Sequence, residues 1–191
     1  MSERTLLVDA TVFITLAKVD ALDCLAPLEG ALVVPSAVRR EISSEPAQTQ
    51  LERLVAAGTI SDIDWFQWTQ KREVSGERVA AATHLGTDPA ATVDTIDGQQ
   101  VLTDGDVALL SLARSMENVV VLSDDKPLRN ACKSHSISVS GTIAVLVRAV
   151  ERGQYTREKA TKKLYAMDEV GTRLSASLVK RAEQLIDDAS D

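Results

Sequence analysis

Asp9 follows the apolar run LLV, Glu41 lies in the stretch after ALVV, Asp106 opens an apolar segment, and Asp124 follows VVVL. Acids of this kind do chemistry in groups. Carboxylates that share a pocket repel one another unless a cation joins them. Hard divalent ions such as Mg2+ take a few oxygen ligands and keep several waters. A buried parallel sheet can gather acids that are distant in sequence, because the C-terminal ends of its strands open onto one crevice. The pattern therefore points to metal-dependent chemistry on a phosphodiester.

Each acid also has a plainer reading. Asp9, before Thr11, stands at a strand–helix junction where either residue would cap the helix. Glu41, one turn past Ala37 and beside Arg40, reads alone as a solvated surface acid. Asp104 and Asp106 follow Thr103, where Thr103 as cap and Asp106 three residues later would suit the helix dipole. A helix-start acid can cap and bind metal at once. Asp124 and Asp125 are adjacent after a buried run and serve no packing purpose there. In a doubly wound sheet, an acid ending the first strand and a pair ending another buried strand become neighbours.

The elements that would position these residues follow from the apolar pattern. Residues 5–9 predict a first strand and 11–18 a short helix, with a second helical stretch over 20–28. A strand over 31–34 leads through Pro35 into a helix to about Ser43. Residues 47–57 predict a helix ended by Gly58, and 60–64 an edge strand. Segment 65–98, with Trp65, Phe66 and Trp68, reads as an insertion: partly helical over 65–82 and a mobile loop over 85–98. A helix over 106–116, apolar on nearly every side, should lie between layers. VVVL at 119–122 predicts a central parallel strand. A helix over 126–134, a strand over 137–139 and a helix over 141–153 follow. Two further helices, 156–167 and 169–188, close the chain. Strands alternating with helices give an α/β fold, expected as three layers around a doubly wound, mostly parallel sheet with extra C-terminal helices. The expected division is residues 1–152 as the main domain and 153–191 as a helical extension packed on it.

The bulk numbers bound the reading. The 191 residues suit one domain. A net charge of −7 argues against tight, non-specific nucleic-acid binding but not against a nuclease, because bound metal neutralises an acidic site. Cys24 and Cys132 lie in apolar surroundings without metal spacing and read as reduced core thiols. His84 and His135 show no partner arrangement. No segment is long and apolar enough to span a membrane, and no N-terminal stretch reads as a signal peptide, so a cytoplasmic location is expected.

In order, LLVDATVFI (6–14), VVPSAVRREI (33–42), LTDGDVALLSLA (102–113) and VVLSDDKPLR (120–129) resemble the PIN-domain ribonucleases, which include toxins of toxin–antitoxin pairs. The family pattern is an Asp after strand one, a helical Glu, a Gly-acid pair opening an apolar helix and an Asp after the next strand. These fall on Asp9, Glu41, Gly105-Asp106 and Asp124. A subgroup in which an acidic pair, a basic helix and a Gly-Thr-led helix follow in order also resembles Ser123–Arg152. Two departures stand out: Asp106 occupies a place where the family often has Glu, so that Asp104 is a second candidate for the third acid, and segment 65–98 is longer than in compact toxins.

The resemblance implies a PIN-like, Rossmann-like fold, RNA as substrate and Mg2+ or Mn2+ as cofactor. It implies catalytic roles for Asp9, Glu41, Asp106 and Asp124, with Asp9, Asp106, Asp124 and Asp125 holding metal. Thr11 and Ser123 would position a carboxylate or phosphate. Lys126 and Arg129 would receive the RNA backbone, where phosphate contacts supply most affinity; the plain alternative for both is a solvated helix face. A toxin role would imply an antitoxin protein, and PIN domains often pack as homodimers. The rival reading is a non-catalytic PIN-like module that binds RNA or protein. A haloacid-dehalogenase-type phosphatase would carry a second acid where Thr11 stands, and a receiver domain would reverse the order of the acidic pair and the lone acid.

Overall fold

The run Leu6–Val8 is buried and has β-strand neighbours on both sides, which is where a short continuous apolar strand belongs. The computed structural model describes residues 4–70, 76–172 and 174–190. Strands β1 (Thr5–Val8), β2 (Ala31–Pro35), β3 (Ile60–Ile63), β6 (Val119–Leu122) and β7 (Ser138–Ser140) form one parallel sheet in the order β3-β2-β1-β6-β7. The register pairs Leu7 with Val33 on one side and Val121 on the other. The strand order reverses between β1 and β6. Acids that follow these two strands therefore flank the crevice at the switch point.

Ten helices complete the described residues: α1 (Ala10–Lys18), α2 (Ser36–Glu41), α3 (Ala47–Ala56), α4 (Trp65–Gln70), α5 (Gly76–Leu85), α6 (Gly105–Ser115), α7 (Lys126–Ser134), α8 (Thr142–Glu151), α9 (Arg157–Met167) and α10 (Ala176–Asp188). Helices α1, α3, α8, α9 and α10 pack on one another, while α6 packs on α2, α5 and α7. Helix α6 is buried along almost its whole length, including Leu109, Leu110 and Leu112. One contiguous apolar core runs from β1 to Ala182 and Ile186 of α10. Cys24 and Cys132 are buried in it as free thiols, and burial pushes each up to about 11.

Several expectations are corrected. Residues 20–28 hold only a 3-10 turn at Leu22–Leu25, because Asp20 takes a left-handed conformation that ends helical continuity. Segment 85–98 is not a loop. After a 3-10 turn at Pro89–Thr92, β4 (Val93–Ile96) pairs antiparallel with β5 (Gln99–Leu102). Asp97 and Gly98, both at positive φ, make the two-residue turn that this pairing demands. Within 65–82, residues 71–75 lie outside those described. Phe66 and Trp68 pack on the core, and Trp68 Nε1 donates to Ser115 Oγ at 3.3 Å. The last helix starts late: Gly171, at φ 101°, breaks the turn over Asp168–Thr172, and Ser175 caps α10 by accepting from the Leu178 amide.

The two histidines also have partners. Their rings meet at a tilt of 56° with centroids 4.6 Å apart, and Arg114 Nη1 lies 2.7 Å from His135 Nδ1. These contacts arise because α5 packs on α6 and α7, a long-range event that local sequence does not report.

Leu7 tests how far the middle strand carries the sheet. Truncating a fully buried Leu removes transfer energy and leaves a cavity. We expect Leu7→Ala to lower stability by about 2–5 kcal/mol, measured as a reduced urea midpoint with an unchanged slope.

Candidate active site

The end of β1 delivers Asp9 into the crevice, 3% exposed. It occupies the N-cap position of α1, yet its side chain makes no capping bond. Instead its Oδ2 accepts from Thr11 Oγ1 at 2.5 Å and Ser123 Oγ at 2.7 Å. Ser123 itself is fully buried after β6 and joins the two strand ends through this bond. Both hydroxyls thus orient the Asp9 carboxylate, and the Ser123 oxygen also accepts the Asp125 amide at 3.0 Å.

Glu41 ends α2. Its Oε1 accepts the backbone amide of Gly105, the first residue of α6, at 2.9 Å. Glycine leaves room here: a Cβ at position 105 would run into the Glu41 carboxylate and push it from its present place. The residue as a whole is exposed along the helix, but its carboxyl end is turned into the site. Burial there raises its pKa, the Gly105 amide opposes that, and Asp9 and Asp104 add to the rise. Beside it, Arg40 Nη1 donates to the Leu102 carbonyl at 3.0 Å, fastening α2 to the end of β5.

At the start of α6, the cap is Asp104 rather than Thr103: Asp104 Oδ1 accepts the Val107 amide at 2.9 Å. That leaves Asp106 free to face the other acids. Its pKa is raised to about 7, first by burial and then by Asp9, Asp125, Asp104 and Glu41 in that order. Four carboxylates, Asp104 from the same helix start and three from other chain segments, therefore act on one side chain. Electrostatically they form one cluster.

The acidic pair after β6 divides. Asp124 Oδ1 accepts the Thr142 amide at 3.0 Å, and its Oδ2 accepts the Thr142 hydroxyl. Asp125 Oδ1 accepts the Leu128 amide at 2.8 Å, capping α7, and its charge reaches Asp106. Thr142, buried at the start of α8, was not singled out from the sequence; the Gly-Thr pair at 141–142 was its only local signal. Lys126 is exposed on the first turn of α7. Arg129 uses Nη1 to bond the Ser123 carbonyl at 2.7 Å, so part of its guanidinium holds the β6 end in place.

A groove of about 930 Å3 leads away from Thr11, Asp125 and Arg129 and passes between α1 and α8 to Leu174 and Leu178. Its far end is apolar.

The donor set is carboxylate and hydroxyl oxygen, which suits Mg2+ or Mn2+ rather than softer metals. Among the described residues, no three Asp, Glu, His or Cys side chains stand close enough to hold an ion as they are. Uncompensated carboxylates are expected to hold apart in this way. The fit is therefore one of donor chemistry and electrostatics, and binding would draw the oxygens inward.

The structure is thus a parallel α/β domain whose switch-point crevice carries acids from several strand and helix ends. The chain belongs to the PIN-domain family: a family model described as a PIN domain matches residues 5–188, through α9 and α10. Comparison with curated proteins returns no match. The PIN domain is a nuclease-type fold.

The state of Asp106 is open to a direct test. Its folded pKa, about 7, lies above the ordinary 3.8, so the metal-free fold prefers the protonated acid. Its contribution to stability is present at low pH and lost as pH rises through that window. After solvent screening the loss is about 1–2 kcal/mol. With chelator present, Asp106→Asn should gain stability relative to the native chain at pH 8 but not at pH 4.5, in paired denaturant titrations. A difference independent of pH would contradict the placement.

Proposed function

We propose that this protein is a metal-dependent ribonuclease. One observation carries the reading: Asp9, Glu41, Asp104 and Asp125 all act on a half-buried Asp106 at the C-terminal edge of the sheet. No packing purpose explains such a concentration of like charge. A bound cation does.

In this reading Asp9, Asp106 and Asp125 hold Mg2+ or Mn2+, and Glu41 binds the metal or orients the attacking water. Bound metal lowers the pKa of a water and stabilises charge on the leaving oxygen. Thr11 and Ser123 keep the Asp9 oxygens aimed, as outer partners of metal ligands do. Lys126, and the guanidinium edge of Arg129 not bonded to Ser123, face the RNA phosphates, which offsets a net charge of −7. If the enzyme is a toxin, the apolar groove beside the acids is the seat for an antitoxin segment.

Asp9→Asn tests the reading because it removes a charge while its amide oxygen still accepts both hydroxyls. Calorimetry should show Mn2+ heat for the native chain and little for the variant, with cleavage of single-stranded RNA lost and the unfolding midpoint near native. Chelation should abolish native cleavage, and Mn2+ should restore it. A native chain that binds RNA without specific Mn2+ heat or cleavage would instead be a non-catalytic PIN-like module. Unchanged cleavage by Asp9→Asn would reject the assignment.

A further inference from the structure

Asp124 and Asp125 are neighbours in sequence, yet their carboxylates have different surroundings. Both Asp124 oxygens are occupied by one residue: Oδ1 by the Thr142 amide at 3.0 Å and Oδ2 by the Thr142 hydroxyl. Thr142 is only 3% exposed, so its hydroxyl has little access to water as an alternative.

Gly141 supplies an independent observation. Its backbone is extended, with φ −137° and ψ 179°, a conformation open to any residue. Conformational freedom is therefore not what glycine provides. A Cβ at this position would collide with Asp124 Oδ1 and lie 3.2 Å from Arg129 Nη1. The backbone before α8 is pressed against the Asp124 carboxylate and the Arg129 guanidinium together.

The mechanical need is evident from the sheet. Strand β7 has only three residues and pairs with β6 alone, at the sheet edge. Beyond that ladder, Ser123 N donates to the Ser140 carbonyl at 2.9 Å, and the chain turns directly into α8. This backbone bond ties the β6–α7 loop to the end of β7, and the Thr142 bonds to Asp124 tie the same loop to the start of α8. That loop carries Ser123, which orients Asp9, and Asp125, which faces Asp106.

We propose that Asp124 is a positioning residue: it clamps the start of α8 through Thr142 and so fixes the loop that presents Asp125 and Ser123, while binding no metal itself. This deepens, and rests on, the ribonuclease reading. The division of labour follows from chemistry. Asp124 presents both of its oxygens to Thr142 at the start of α8, whereas Asp125 commits Oδ1 alone, to the Leu128 amide of its own helix.

The test exploits the difference between a clamp and a ligand. In Asp124→Asn the amide oxygen still accepts the Thr142 N–H and the amide nitrogen donates to the Thr142 hydroxyl, which can accept. The clamp survives; a ligand's charge does not. Mn2+ affinity by calorimetry and RNA cleavage are measured on Asp124→Asn, Asp124→Ala, Thr142→Val, the Ala/Val double variant and Asp125→Asn, well below every unfolding midpoint. Asp124→Asn should stay within about threefold of native, and Asp125→Asn should lose Mn2+ binding. Asp124→Ala should weaken Mn2+ by about 10-fold or more, as loss of a ligand's support does. Thr142→Val should weaken it in the same direction, and the double variant should be no worse than Asp124→Ala alone. If Asp124→Asn fails as Asp125→Asn does, Asp124 is a ligand and the proposal is overturned. If Asp124→Ala lowers only the unfolding midpoint and leaves Mn2+ affinity and cleavage native, Asp124 is a structural cap and the proposal is likewise overturned. A native chain without specific Mn2+ heat overturns the ribonuclease reading itself, and the positioning role falls with it.

Discussion

Like-charge repulsion across the β1–β6 crevice is the constraint around which this molecule is arranged. Five carboxylates approach one another where the parallel sheet opens, and nothing in bulk physics favours putting them there. The sheet holds them by topology. Adjacent parallel strands β1 and β6 end side by side, so Asp9 and the loop after Leu122 meet whatever their charge. The apolar core beneath, from Leu7 to Leu112, supplies the rigidity that repulsion would otherwise relax.

The chain then moderates the repulsion locally without cancelling it. Hydroxyls of Thr11 and Ser123 serve Asp9, backbone amides at helix starts serve Glu41, Asp104 and Asp125, and Thr142 serves Asp124. Helix N-termini favour negative charge, so these partners are well chosen. Asp106 is the exception. It carries the least local compensation and the most pressure, and responds by holding its proton to about neutrality. Two glycines complete the arrangement. Gly105 makes room for the Glu41 carboxylate and Gly141 for that of Asp124, each by lacking a side chain rather than by adopting an unusual backbone.

Much of this was legible in the sequence. The runs LLV, ALVV and VVVL marked the three inner strands, and the apolar helix after Asp106 announced itself by having almost no polar face. Acids at the ends of those runs identified the crevice, since strand ends in a parallel sheet have a fixed meeting place. What local pattern could not supply was partner choice. Asp124 and Asp125 are chemically alike, and only the docking of α8 distinguishes them. Asp104 displaced Thr103 as the α6 cap for a similar reason: both residues can cap, and the backbone decides. The hairpin of β4 and β5 went unread because its strands are short and polar, without the alternation that marks a buried face. Pairing of His84 with His135 and Arg114 depended on α5 folding back over α6, which no window of sequence contains.

Crystals grown with Mn2+ test the acidic crevice as a metal centre most directly, because anomalous scattering locates the ion without reference to activity. The expected result is a peak bounded by oxygens of Asp9, Asp106 and Asp125, with Glu41 in contact directly or through water and Asp124 still bonded to Thr142. An empty crevice at saturating Mn2+, with the carboxylates still apart, would contradict it.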